Sequence, residues 1–375
     1  MSSNTGLYYS YAALLCGALF PIWTGSRASL IMPREAKRKL RELRGEKRTK
    51  QQEEEDEEDE VIDRMTREDA YLFPLIGSAV LFSLFLAFKY LPKEWVNRIL
   101  GGYMAVMAVA GLARSGTKAV RWVVGENRWG KLDKYKISLT KNGAPEGHYT
   151  FTSLHLYALP LAAVLSGAQM WTRNWILSNI AALSFAFNAV SLLYLDSFVT
   201  GALLLSGLFS YDIWWVFGSK AVFGKGADVM VSVATSFEAP IKLLAPKDIR
   251  KAVDFSLLGL GDIVLPGIFI ALARRFDYHL ALSRSTTPIT PSSRYPKPYF
   301  TTCFVAYIAG LVTTMVVMHY FRAAQPALLY LSPACILSVA AVAAVKGEWK
   351  ALWAYEDGDK KEDEKKERVK EKKEQ

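Results

Sequence analysis

Residues 255–274 read FSLLGLGDIVLPGIFIALAR, and residues 197–217 read SFVTGALLLSGLFSYDIWWVF. Each is about as long as a helix must be to cross the ~30 Å hydrocarbon core of a bilayer. Each also carries a single acid well inside its apolar run, Asp262 in one and Asp212 in the other. An ionised side chain at membrane depth costs ~3 kcal/mol or more, so two such acids in consecutive segments call for a chemical explanation.

The rest of the chain fits this reading. Of its 375 residues, 51% are hydrophobic and 22% charged, and the charge is unevenly placed. Residues 33–70 hold 25 charged side chains and residues 346–375 hold 20. The remaining chain is strongly apolar, which excludes an ordinary soluble enzyme and a disordered protein and indicates a polytopic membrane protein. The net charge of +10 would suggest nucleic acid in a soluble protein. Here the positive residues flank apolar runs and no nucleic-acid-binding motif is present, so no nucleic-acid partner is expected. Cys16, Cys303 and Cys335 are scattered within apolar segments and form no disulfide framework. The four histidines lack metal-ligand spacing, so neither metal nor cofactor is expected.

Hydropathy predicts an all-α integral membrane fold of nine transmembrane helices, near 7–24, 72–91, 98–114, 151–170, 174–193, 197–217, 255–274, 299–319 and 326–345. The division that follows is a first helix at 1–25 and a charged cytosolic linker at 26–71. Helices 2–5 fill 72–193 and include a cytosolic loop at 114–150. Helices 6–9 form a core at 194–345 that carries both acids, and a charged cytosolic tail runs over 346–375. The first segment has no basic residue before it and a run of them after it, from Arg27 to Lys50. That places the N-terminus on the lumenal side and argues against a cleaved signal peptide. Arg114, Lys118 and Arg121 in loop three and Arg274 and Arg275 in loop seven are read as cytosolic flanks. Loop six, near 218–254, is the one poor fit to this orientation. Residues 53–60, eight consecutive acids, read as a solvated linker. Asp196 reads as solvated at a loop edge.

Asp212 lies five residues before Phe217 and Asp262 seven after Phe255, which puts both roughly 8–10 Å from the loop that joins their helices. Consecutive spans are antiparallel, so the two carboxylates can face each other. Such a pair holds one proton between its members and titrates as a unit. The ionised member can deprotonate a shared water while the protonated one polarises a carbonyl, which is aspartic-protease chemistry. The same two acids could instead form a cation or proton site in a transporter, or act structurally, and on these residues alone the three readings stay open. Gly259 and Gly261 beside Asp262 permit local unwinding and close backbone approach. Exposed backbone there could pair with an extended substrate strand. Tyr211 precedes Asp212, and Pro326 opens the last span.

Together these residues resemble the signal peptide peptidase family of GxGD intramembrane aspartyl proteases, relatives of presenilin. The family's YD motif matches Tyr211-Asp212, its GxGD motif Gly259-Leu260-Gly261-Asp262, and its PAL motif Pro326-Ala327-Leu328 after Gln325. Further matching stretches are Trp215-Val216-Phe217-Gly218, residues 236–243 and residues 267–277. The resemblance implies that Asp212 and Asp262 are the catalytic pair. It further implies that Tyr211, Gly259, Leu260, Gly261, Gln325, Pro326, Ala327 and Leu328 shape the substrate groove. It implies cleavage of signal-peptide remnants and type II transmembrane segments in the endoplasmic reticulum membrane. The expected partners are those peptide helices, membrane lipid and further copies of the chain. Lys372-Lys373-Glu374-Gln375 resembles a dilysine retrieval signal. Extra residues near 219–228 depart from the family pattern just above the two acids. An ion-coupled transporter and a non-proteolytic membrane scaffold are the alternatives.

Overall fold

The computed structural model describes residues 2–44, 64–124, 134–141, 144–218, 233, 236, 240–248, 254–287, 289–321 and 325–358. The acidic run at 53–60, residues 219–228 and the Lys372–Gln375 signal lie outside the described residues. What is described is mostly helical. In chain order the helices are α1 (Ser2–Ala28), α2 (Arg34–Arg44), α3 (Arg67–Tyr90), α4 (Lys93–Val124), α5 (Ser153–Thr172) and α6 (Trp175–Leu192). They continue with α7 (Phe198–Ile213), α8 (Gly261–Arg284), α9 (Pro298–Phe321), α10 (Leu328–Lys346) and the short α11 (Trp349–Ala354). Three two-stranded sheets accompany them. β1 (Arg64–Met65) pairs in parallel with β4 (Tyr194–Leu195), and β2 (Lys134–Lys141) pairs antiparallel with β3 (Ala144–Thr152). β5 (Lys242–Pro246) pairs antiparallel with β6 (Phe255–Gly259).

Seven helices among the described residues are long and apolar enough to cross a membrane: α1, α3, α4, α6, α7 with the turn that follows it, α9 and α10. The predicted spans at 151–170 and 255–274 also contain helices, α5 and α8. α8 carries Asp262, Arg274, Arg275, Asp277 and Arg284, which separates it from a plain apolar span. On α3, Leu75 and Ile76 are 66% and 58% exposed, an apolar face that no part of the described chain covers.

The structure corrects the sequence reading at several places. The span predicted at 98–114 continues to Val124, so Arg114, Lys118 and Arg121 belong to the helix and not to a loop. A 32-residue helix is roughly 48 Å long, well beyond the hydrocarbon thickness, and its charged last turns extend past the apolar part. The remainder of loop three contains the β2–β3 hairpin. The linker predicted at 26–71 contains α2 and the first turns of α3. Residues 255–259, predicted to open a helix, form β6. Their burial alternates along the strand, and their backbone groups pair with β5 from Lys242↔Gly259 to Pro246↔Phe255. Two glycines in three residues disfavour a helix interior, and the hairpin satisfies the backbone instead.

The chain divides into two compact units. The first comprises residues 1–17, 87–188 and 235–260. In it, the Asn188 side chain donates to the Gly111 carbonyl at 3.0 Å and Ser115 Oγ at 2.9 Å, joining α6 to α4. Ser166 Oγ of α5 donates to the Ala105 carbonyl of α4 at 2.9 Å. The Asn179 amide donates to the Leu244 carbonyl and accepts from the Leu244 N–H, so one side chain holds the β5–β6 hairpin from α6.

The second unit comprises residues 18–86, 189–234 and 261–375 and contains both acids. Ser197 caps α7 by accepting from the Thr200 N–H at 3.3 Å. α7 runs antiparallel to α8, as Phe198 meets Phe276 at 5.4 Å between centroids and Gly201 meets Phe269. A Cβ on Gly201 would fall 2.7 Å from a Phe269 ring carbon and 3.2 Å from Leu195, so only glycine lets α7 approach this closely. Gly201→Ala is expected to destabilise the protein by about 1–3 kcal/mol through overpacking, read as a lower melting temperature in detergent. An unchanged melting temperature would show that Phe269 swings aside at no cost. α10 ends at Gly347, whose φ of 66° suits glycine and turns the chain into α11.

Candidate active site

Asp212 is the penultimate residue of α7, and Asp262 is the second residue of α8. The predicted depth of Asp262, seven residues inside its helix, is therefore corrected to the first turn. Both acids still stand one residue from the facing ends of two antiparallel helices, because Asp212 is equally close to the end of its own. A carboxylate in a first helical turn also meets the positive end of the helix dipole.

Asp212 is buried, at 3% exposure, and Asp262 is half-buried. The two carboxylates lie within Coulombic reach of each other. The Leu328 backbone N–H donates to the Asp212 carboxylate. This N–H is free to do so because Leu328 is the first residue of α10, where amides have no intrahelical acceptor. Pro326, Ala327 and Leu328 are all buried. The Leu329 N–H bonds to the Pro326 carbonyl and the Tyr330 N–H to the Ala327 carbonyl, at 3.2 and 3.0 Å, which makes a tight first turn. Proline at this place costs nothing, since its missing N–H falls before the helix.

The other predicted site residues take varied positions. The Tyr211 ring lies beside Gly77 of α3 and 6.4 Å from the Trp215 ring, so it packs towards α3. Gly259 closes β6, and the Leu260 N–H bonds to the Ile241 carbonyl at 3.0 Å. Gly261 is exposed at the start of α8, and Gln325 is half-buried ahead of Pro326. Two residues after Asp212 the helix widens into a π turn, Trp214–Gly218. Such turns occur often at functional sites. Trp215 is buried there, with Nε1 donating to Ser78 Oγ at 3.1 Å.

One neighbour escaped the sequence reading. Tyr307 of α9 is fully buried and donates its hydroxyl to the Asp262 backbone carbonyl at 3.2 Å. A tyrosine in the middle of an apolar span must find an acceptor, and that was the available signal. A search for intramembrane acids passes over it.

Far along α8 lies a second polar group. Arg274, Arg275 and Asp277 are 3%, 5% and 2% exposed. Arg274 and Arg275, counted as flanking charges of loop seven, instead lie within α8 and are buried. Arg274 donates to Ser26 Oγ at 3.1 Å and stacks over the Phe300 ring at 4.6 Å. Arg275 pairs with Asp357 and lies 4.5 Å above the Tyr194 ring. Asp277 accepts from the Tyr299 and Phe300 N–H groups at the start of α9. Asp196 is half-buried and accepts from Ser197 Oγ at 2.9 Å, in place of the solvated position expected for it.

Comparison with known proteins places the chain. The family model described as signal peptide peptidase matches residues 54–359. The chain belongs to the signal peptide peptidase family. It is 37% identical to the signal peptide peptidase of Mus musculus over 96% of this chain and 86% of that one. The Homo sapiens signal peptide peptidase is 36% identical over the same shares. Intramembrane protease 2 of Caenorhabditis elegans is 45% identical over 55% of this chain and 44% of its own. These names speak for an intramembrane protease of the signal peptide peptidase family, and none of them speaks for a transporter.

Proposed function

We propose that this chain, an intramembrane aspartic protease by family, hydrolyses peptide bonds of transmembrane segments with Asp212 and Asp262 as its catalytic pair. The observation that carries the proposal is the placement of the two acids at the facing ends of antiparallel α7 and α8, within Coulombic reach of each other. One carboxylate takes a proton from a water held between them, and the other, protonated, donates to the scissile carbonyl. The proton then passes to the leaving amine as the tetrahedral intermediate collapses. The Leu328 N–H holds the Asp212 carboxyl in one orientation, and Tyr307 anchors the backbone of Asp262. An intact helix shields its peptide bonds, so the substrate must unwind before attack. Gly259, Leu260 and Gly261 are our choice for receiving the unwound strand, and Tyr211, Gln325, Pro326 and Ala327 for the walls of the groove.

The expected substrates are signal-peptide remnants and type II membrane segments in the endoplasmic reticulum membrane. The full reading has nine spans, counting α5 and α8, with the N-terminus lumenal and the C-terminus cytosolic. It divides the chain into a first helix, a charged linker, helices 2–5, a catalytic core of helices 6–9 and a cytosolic tail that carries the dilysine signal. Assembly with further copies of the chain belongs to the same proposal. The deciding experiment incubates the purified protein in detergent with a helical signal peptide, beside an Asp212→Ala variant of equal folding. Cleavage by the wild type alone supports the proposal. Cleavage by both, or by neither, sinks it.

A further inference from the structure

We propose that Tyr355-Glu356-Asp357 is a positioning element that sets the two carboxylates by tying α7 to α8 at the ends remote from them. The inference rests on the protease reading above. This short segment follows α11 and touches both acid-bearing helices. On the α7 side, the Asp357 N–H donates to the Asp196 carbonyl at 2.7 Å, and Glu356 forms a β-bridge with Ser197, the residue that caps α7. On the α8 side, the Asp357 carboxylate pairs with Arg275. Between the two, the Tyr355 ring sits 6.1 Å from Phe198 of α7 and 5.0 Å from Phe276 of α8. The Tyr355 hydroxyl donates to Asp357 at 3.2 Å, which aligns the carboxylate with the arginine.

The geometry gives this contact leverage. Asp212 is 15 residues beyond Ser197, and Asp262 is 13 residues before Arg275, so each acid stands roughly 20 Å from the clamp. Over that length the helices are held by close packing at Gly201 and Phe269. A packed helix moves as a body, so a shift at one end reappears at the other. Arg275 is 5% exposed, so breaking the pair leaves a buried charge without its counter-ion. A misplacement of about 1 Å at reacting groups can cost roughly a hundredfold in rate.

The test uses the full chain in proteoliposomes and a helical signal peptide as substrate. Asp357→Asn is expected to lower kcat about tenfold or more with KM within about twofold, and Asp357→Glu to restore most of the loss. A second readout does not depend on activity. Spin labels on Ser210→Cys and Leu265→Cys, in a Cys16→Ser background, report the distance between α7 and α8 near the acids. The distance distribution is expected to broaden or shift in Asp357→Asn and to return in Asp357→Glu. An unchanged distribution in Asp357→Asn overturns the proposal, whatever happens to the rate. So does an equal fall in rate and melting temperature in both variants. If the wild type cleaves nothing, the protease reading fails, while the label distances still decide whether the segment positions the two helices.

Discussion

Asp262→Asn is expected to lower peptide hydrolysis roughly 10³-fold or more while leaving the protein folded and inserted. The asparagine side chain has the shape of the carboxyl but can neither take a proton from water nor give one to a leaving amine. The packing gives no reason for misfolding. Asp262 is half-buried in the first turn of α8, and the hydrogen bond from Tyr307 goes to its backbone carbonyl, which the substitution keeps. The loss should appear in kcat, with KM little changed, because substrate binding draws on the groove and not on the proton. Asp212→Asn should lose as much. The double variant should lose hardly more than either single one, because the carboxylates act as one unit and half of it has no use. The check is a single-turnover assay on all three variants in parallel. Additive losses would mean that the two acids serve separate steps, and the shared-water mechanism would be wrong.

Asp277→Ala is expected to destabilise the protein by about 2–5 kcal/mol. α9 begins Pro298-Tyr299-Phe300 after Lys297. Lys297 has no acceptor with which to cap the helix, and Pro298 has no N–H. The next two amides, of Tyr299 and Phe300, donate to the Asp277 carboxylate of α8 at 3.3 and 2.8 Å. A buried acid on one helix thus does the work of an N-cap for another. Its negative charge also faces the positive end of the α9 dipole. Alanine leaves two buried donors without a partner, each worth about 1–3 kcal/mol. Asn keeps an acceptor and should lose less. Unfolding of the three proteins in mixed detergent would show the order wild type, Asn, Ala. A loss below about 1 kcal/mol for alanine would mean that water enters and replaces the carboxylate.

The part of this protein that its sequence settles alone is the part decided locally. A run of apolar residues long enough to span a bilayer must form a helix there, because lipid offers the backbone no other hydrogen-bond partner. Seven of the predicted spans reappear, among the described residues, as helices long and apolar enough to cross a membrane. The two acids stood out for the same reason, since a charge in such a run is costly enough to be rare. The tertiary structure alone decided where local signals were balanced or misleading. Phe255–Gly259 is a short apolar stretch whose type periodicity does not decide, and its pairing with Lys242–Pro246 made it a strand. Arg274 and Arg275 sit near the end of a span, where a positive charge ordinarily meets water. Their partners Ser26, Phe300 and Asp357 come from the two ends of the chain and from the next helix, and only folding brings them together. Asp277 and Tyr307 belong to the same class. The free energy of a buried polar group depends on what lies opposite it, and that is a property of the packed chain, not of any window of its sequence.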